Sequence, residues 1–335
     1  MKILLVLLFI TTYLFGEKSV SIASYNVENL FDLHTSGYEY EEYLPNTQSL
    51  WNTKNYKKKL QNISRVIYDL DADILALQEI ESLEVLKDLR YTLKQKGLYY
   101  QYYAIADKKN TTVKVAVLSR LPFTYAKELQ VGYNYKYRNI LELKFLIEKQ
   151  ELYLFINHWK SKGGPESERI YSAKVLRKRL KELGEEKNII LTGDFNSHYE
   201  ENKIFLHKRR HNDTDGQTGI NHILNTTKQT TSVSNIQKHK GALYNLWYDK
   251  KEDLRYSYIY KKEKEALDNI IVTQSLLEKK GIFYKEGSMS HFAPPYLLQN
   301  NKINRWKTRG KKPRKHQGKG YSDHLPIKAE FIISD

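Results

Sequence analysis

The stretch Thr192-Gly193-Asp194-Phe195-Asn196-Ser197 follows Lys187-Asn188-Ile189-Ile190-Leu191, an apolar run of strand length with β-branched residues. Residues two apart in extended chain point the same way. The spacing therefore predicts that Asp194 and Asn196 aim at one place beyond a buried strand, which Gly193 is expected to end. A carboxylate placed there takes a proton from water, and a carboxamide NH₂ donates to an oxyanion. A phosphate ester suits both. Gly, Asp, Asn and Ser also build turns, and the stretch alone reads equally well as one.

Six further polar residues are placed in the same way. Asn26, Glu79, His158, Asp268, Asp323 and His324 sit in or just after expected strands. In an α/β fold such positions gather on one rim. Each alone has a bland role: Glu79 at a helix start, His158 as a hydrogen-bonded buried histidine, Asp268 as the partner of a lysine. Eight polar groups converging on one rim are better explained by a site.

The elements that must position them follow from periodicity. Strands are expected over residues 19–25, 73–77, 99–106, 112–118, 139–147, 152–156, 187–191, 257–260, 267–272 and 326–333. Helices are expected over 56–70, 83–96 and 169–183, with Gly97 and Gly184 closing the last two. The first turns Leu60, Ile63, Val66, Ile67 and Leu70 inward and Lys57, Lys58 and Lys59 to water. Residues 34–54, 207–240 and 302–319 read as loops, and no repeat or linker divides the chain.

The 335 residues contain no Cys, which excludes disulfides, thiolate metal sites and Cys nucleophiles. The formal net charge of +16 favours a polyanionic partner, nucleic acid or an anionic membrane surface. The 27 Tyr residues are sheet formers that can also stack on bases. At the N-terminus, Lys2 precedes an apolar run from Ile3 to Phe15, broken by Thr11 and Thr12 and followed by Gly16. Residues 1–16 read as a signal peptide, too short for a span of ~20 residues. Export to the periplasm or beyond is expected, with one domain over 17–335. Leu14, where a small residue is preferred, leaves an uncleaved anchor as the alternative.

Six motifs in order carry a resemblance: Ser24-Tyr25-Asn26-Val27-Glu28-Asn29-Leu30-Phe31-Asp32, Leu77-Gln78-Glu79-Ile80, Asn157-His158-Trp159-Lys160-Ser161, Gly193-Asp194-Phe195-Asn196, Leu267-Asp268-Asn269-Ile270-Ile271 and Gly320-Tyr321-Ser322-Asp323-His324-Leu325-Pro326. The chain resembles the endonuclease/exonuclease/phosphatase superfamily, which is deoxyribonuclease-I-like, over nearly all of 17–335. Asn157-His158-Trp159-Lys160-Ser161 looks most like exported bacterial nucleases. The resemblance implies an α/β four-layer sandwich, two mixed β-sheets face to face with helices outside. It also implies divalent-metal phosphodiester hydrolysis.

Chemistry and resemblance together assign roles. Glu79, with Asn26 and Asp323, holds a hard cation; all-oxygen ligands suit Mg²⁺, Mn²⁺ or Ca²⁺. Asp194 activates water and Asn196 donates to a phosphate oxygen. His158 and His324 flank the phosphate, one as imidazolium, the other protonating the leaving oxygen. Asp268 fixes the tautomer of one of them, and the sequence does not say which. Arg169 is expected to add a positive group. The acid-free run from Lys302 to Lys319, with Lys311, Lys312, Arg314 and Lys315, is expected to grip the backbone of DNA, or of RNA, and Trp306 to stack on a base or pack beneath the loop. Thr111-Thr112 departs from relatives that carry an active-site Arg, Tyr or acid before the strand 113–118. The competing readings are a sphingomyelinase or phosphoinositide phosphatase, with Tyr296-Leu297-Leu298 as the apolar loop it would need, and a non-catalytic nucleic-acid-binding surface protein.

Overall fold

The computed structural model describes residues 18–108, 110–205, 211–226 and 241–334. The expected signal peptide, residues 1–16, and most of the expected loop 207–240 lie outside these residues. Among the described residues no helix is long and apolar enough to cross a membrane.

Two mixed sheets form. In the first, β1 (Lys18–Leu30) lies between β2 (Ile74–Ile80) and β19 (Ile327–Ile333). It extends through β4 (Lys114–Ser119) to β3 (Tyr102–Ile105) on one side. On the other side β13 (Ile282–Tyr284) and β14 (Ser290–His291) pair with β19. The second runs β5 (Phe123–Leu129), β6 (Ile140–Ile147), β7 (Gln150–His158), β8 (Ile189–Asp194), β12 (Asp268–Val272) and β9 (Tyr244–Asn245). Each sheet has one parallel pair, β1–β2 and β7–β8. A parallel pair needs a long crossover, and here it is a helix each time: α1 (Thr53–Leu70) and α3 (Glu166–Leu183). A third helix, α2 (Leu83–Gln95), follows β2.

Three apolar cores separate four layers, as expected. Val20, Ile22, Ile74, Val115 and Val117 of the first sheet meet Leu141, Leu154, Ile156, Ile190 and Ile270 of the second. The other face of the first sheet, with Tyr25, Leu75 and Leu77, packs on Leu60, Ile63 and Ile67 of α1 and on Leu86 and Leu89 of α2. The other face of the second sheet, with Phe155 and Leu191, packs on Ala173, Leu176 and Leu180 of α3. Strands buried on both faces need not alternate, which explains why β1 reads imperfectly: Val20 and Ile22 serve one core, Ala23 and Tyr25 the other.

Three expectations change. Lys59 is fully buried, not on the wet side of α1, and donates to the carbonyls of Glu28 (2.8 Å) and Tyr321 (3.0 Å). Gly193 does not end its strand. It sits inside β8 at φ +129, where a Cβ would lie 2.1 Å from the Asn157 carbonyl oxygen. Residues 298–316 are two small ribbons rather than an open loop: β15 (Leu298–Gln299) with β16 (Lys302–Ile303), and β17 (Thr308–Arg309) with β18 (Lys315–His316). Trp306 is buried and donates its indole N–H to His316 Nδ1 at 2.8 Å, edge-on to Trp51, so it is packed beneath the ribbon and does not face a base.

Candidate active site

The strands put the polar residues on one rim by register. Asp194, the last residue of β8, lies opposite His158 of β7 and opposite Asp268 of β12. His324 forms an isolated bridge with Tyr258. From the first sheet come Asn26 and Glu79, through paired irregularities: the register of β1 against β2 shifts between Asn26 and Leu30. Glu28, Asn29 and Glu79 take left-handed backbone at φ +53, +59 and +66. Bulges of this kind re-aim a side chain at a sheet edge. Here the bulge lets Asn29 N–H donate to Glu79 Oε2 at 2.8 Å.

Asn196 reaches the site by a different route from the one its spacing suggests. It lies beyond the strand, at φ +48, and its own N–H donates back to Asp194 Oδ1 at 2.8 Å. One proton of its NH₂ goes to the Trp159 carbonyl (3.1 Å), which leaves the other for a ligand.

Asn26 ties the two halves together. Its NH₂ donates to Glu79 Oε1 and to Asp194 Oδ2, each at 3.1 Å, and its Oδ1 accepts the Glu28 N–H at 3.0 Å. With its oxygen turned to the backbone, Asn26 orients the two carboxylates rather than offering itself to a cation as expected. Asp323 pairs with Arg305 at 3.1 Å, and Arg305 also binds Glu28 through Nε at 2.9 Å.

Asp268 holds His324: Nδ1 to Oδ2 is 2.7 Å. Burial opposes the imidazolium, but the Asp268 and Asp194 carboxylates outweigh it and hold His324 protonated well above the ordinary histidine range. His324 Nε2 lies 3.9 Å from Asp194 Oδ2. His158 differs. Burial, with the positive charges of Arg138 and His324, pushes it well below that range, and its Nε2 stands 3.6 Å from Asp194 and 3.8 Å from Glu79. Burial, with Asp268 and Glu79 near, lifts Asp194 to about 7 against the pull of His324. Burial and Asp323 raise Glu79.

Asn26 and Asp268 are buried and do not line the cavity of about 740 Å³ at this rim. Glu79, His158, Asp194, Asn196, Asp323 and His324 line it together with Arg138, Lys162, Tyr40, Tyr258 and Tyr260. The sequence reading overlooked all five. Arg138 had a signal: β6 and β7 are antiparallel with Leu141 opposite Ile156, so the two residues before β6, Arg138 and Asn139, fall beside the end of β7, where His158 is.

Arg169 is not at the site. It is buried within α3 and donates to Glu166 Oε2 (2.7 Å) and to the Ser161 and Gly164 carbonyls (3.1 and 3.3 Å), so it fixes the loop behind His158 and reaches no ligand. Arg169→Ala strands the buried Glu166 charge. It should cost about 3–5 kcal/mol of stability in urea unfolding while leaving substrate KM unchanged in the folded fraction.

A profile of the endonuclease/exonuclease/phosphatase family matches residues 21–332. The chain belongs to this family. Its enzymes are typically metal-dependent phosphoesterases that use divalent ions. Solved structures agree on the fold. A humanized D. rerio TDP2 with 14 mutations superposes at TM-score 0.57 and 17% identity, over 93% of this chain and 98% of that one. D. rerio TDP2 complexed with a single-strand DNA product gives 0.55 at 15%, over 94% and 99%. The mannosyl-6-phosphatase Bt3783 of Bacteroides thetaiotaomicron gives 0.56 at 16%, over 94% and 100%. No curated protein matches by sequence.

The residues fit the family's metal. Glu79 and Asp323 both line the cavity, each side chain about one-fifth exposed, and Asp323 raises Glu79, which a cation would relieve. Among the described residues no three His, Asp or Glu side chains form a ready metal cluster. Mg²⁺ commonly takes one or two carboxylates and leaves its other positions to water and substrate phosphate, so such a pair suffices.

Proposed function

We propose that the chain is an exported, divalent-metal-dependent phosphodiesterase that hydrolyses DNA, with RNA as a second substrate. The observation that supports a polymeric substrate is the continuity of the site cavity with two basic neighbours. It shares Asn29 and Tyr40 with a cavity of about 400 Å³ lined by Lys307, Lys312 and Arg314. It shares Tyr258, Tyr260 and Asp323 with one of about 680 Å³ lined by Lys261, Lys262, Lys302 and Arg305. A run of phosphates has cations on both sides of the reacting one; a lone sugar phosphate would fill only the centre. Lys311 and Lys315 stand exposed on the same ribbon as Lys312 and Arg314. The TDP2 neighbour with a single-strand DNA product accords with this reading. A lipid substrate is disfavoured, because Leu297 is buried and Tyr296 binds Asp69 at 2.6 Å, so that loop offers no apolar tip.

The chemistry divides among named groups. Glu79 and Asp323 would hold the metal, which when bound polarises the scissile phosphate and offsets its developing charge. Asp194 takes the proton of the attacking water as its oxygen bonds to phosphorus; the P–O ester bond opposite it breaks, and the leaving oxygen takes its proton from solvent. The free N–H of Asn196 and the Nε2–H of the His324 imidazolium donate to phosphate oxygens, with Asp268 keeping the Nδ1 proton in place. His158, held neutral, steadies the Asp194 and Glu79 carboxylates rather than serving as an imidazolium donor.

The test uses the protein from residue 17 with plasmid DNA, RNA and mannose 6-phosphate, in Mg²⁺ and in EDTA. Nucleic acid should be cut only with the metal, and Glu79→Gln should abolish the cutting. Phosphate release from the sugar without DNA cleavage would replace this reading with a phosphatase. Changing Lys311, Lys312, Arg314 and Lys315 together to Gln should raise KM more than it lowers kcat. It should also flatten the salt dependence by about 0.9 for each duplex phosphate no longer neutralised. An unchanged KM and slope would remove the ribbon from the substrate path.

A further inference from the structure

β10 (Tyr258–Tyr260) and β11 (Glu263–Glu265) form a ribbon apart from both main sheets, with Tyr260 opposite Glu263, so Lys261 and Lys262 alone make the turn. Both take left-handed backbone, at φ +47 and +76. Two-residue turns of this kind favour Asn-Gly, and side chains with a Cβ are disfavoured there. The hairpin nevertheless places two ammonium groups at its tip.

The base of the hairpin is fixed to the reacting centre. Ser257 Oγ accepts the Asp268 N–H at 3.1 Å, and the Ser257 carbonyl accepts the Leu325 N–H at 2.7 Å. Lys162, which also lines the site cavity, binds Glu265 at 2.7 Å. The Tyr258 ring lies 4.9 Å from the His324 ring. Tyr260, two residues on and therefore on the same side of the strand, is 52% exposed. Both tyrosines line the site cavity and its 680 Å³ neighbour.

Spacing decides what such a pair can read. Two strand residues span about 6.7 Å, roughly twice the ~3.4 Å rise per nucleotide within a duplex strand. Two rings so separated cannot face successive stacked bases; they match bases drawn apart. Aromatic faces beside a cationic track are how unpaired strands are held without sequence preference.

We propose that Tyr260 and the Lys261-Lys262 tip form a subsite for the nucleotide next to the scissile phosphate in single-stranded nucleic acid, the ring taking the base and the lysines the adjoining phosphate. This rests on the reading of the site as a nucleic-acid phosphodiesterase. The test is fluorescence anisotropy with labelled oligothymidylate and with a hairpin duplex, in Mg²⁺, on protein carrying Asp194→Asn to slow turnover. Tyr260→Ala should raise the single-strand Kd by about tenfold and the duplex Kd by less than twofold, while Tyr260→Phe, which keeps the ring, should bind like its parent. Lys261→Gln with Lys262→Gln should flatten the single-strand salt slope by about 0.7 for each phosphate no longer neutralised. Thermal melts confirm that the variants fold. Equal effects on both ligands, a single-strand Kd within twofold of the parent, or a Phe variant as weak as Ala would overturn the subsite. Failure of the unsubstituted protein to cut any nucleic acid in Mg²⁺ would instead overturn the reading of the site.

Discussion

Asp194→Asn should lower kcat on single-stranded DNA by about 10²–10⁴-fold, the usual contribution of a positioned general base, with little change in DNA affinity. The substitution keeps the shape of the side chain. Its Oδ1 can still accept the Asn196 N–H, so the turn after β8 should keep its form. What is removed is the carboxylate that faces both histidines at 3.6 and 3.9 Å. The variant also weakens the hold on the His324 proton, since Asp194 is one of the two carboxylates that keep it on. Single-turnover cleavage in Mg²⁺ measures the chemical step directly. Retention of kcat within tenfold would move the base elsewhere, with Glu79 next in line.

The second large effect is expected at the His324–Asp268 pair. His324→Ala removes the imidazolium, and kcat should fall by about 10²–10⁴-fold. Asp268→Asn should do nearly as much without touching the substrate side. A carboxamide NH₂ facing Nδ1 donates where the carboxylate accepted, so the ring loses its charge and takes the other tautomer. An NMR titration should find the His324 pKa lower in Asp268→Asn than in the unsubstituted protein. Stability gives an independent check. The folded-state pKa of His324 lies above its unfolded value, so the pair's contribution is complete below about pH 6.5 and disappears as pH rises through the folded pKa. The stability difference between the unsubstituted protein and Asp268→Asn should therefore be largest at mildly acid pH and shrink in alkali. A gap that widens with pH would show that Asp268 acts through something other than the imidazolium.

The order of the elements and most of the rim follow from local properties of the chain, and the four layers from the resemblance that its six motifs carry. Apolar runs with turn residues locate the central strands, and a 3.6-residue period locates α1 and α2. Polar residues at strand ends mark Glu79, His158, Asp194, Asp268 and His324, because in an α/β fold strand ends lead to a common edge. Contacts between distant segments were legible only once the chain was folded. Arg169 looks like any helix cation until Glu166 is seen buried beside it. Lys59 looks solvated until the Glu28 and Tyr321 carbonyls close over it. Trp306 reads equally as a stacking platform or a packed residue until Trp51 and His316 are seen to cover it. The choice of His324 over His158 as the partner of Asp268 rests on which strand lies beside which: β12 carries Asp268 next to Asp194, and the Tyr258–His324 bridge brings His324 to the same place. Opposite protonation then follows: burial opposes charge on both rings, the Asp268 and Asp194 carboxylates outweigh it at His324, and the positive charges of Arg138 and His324 add to it at His158.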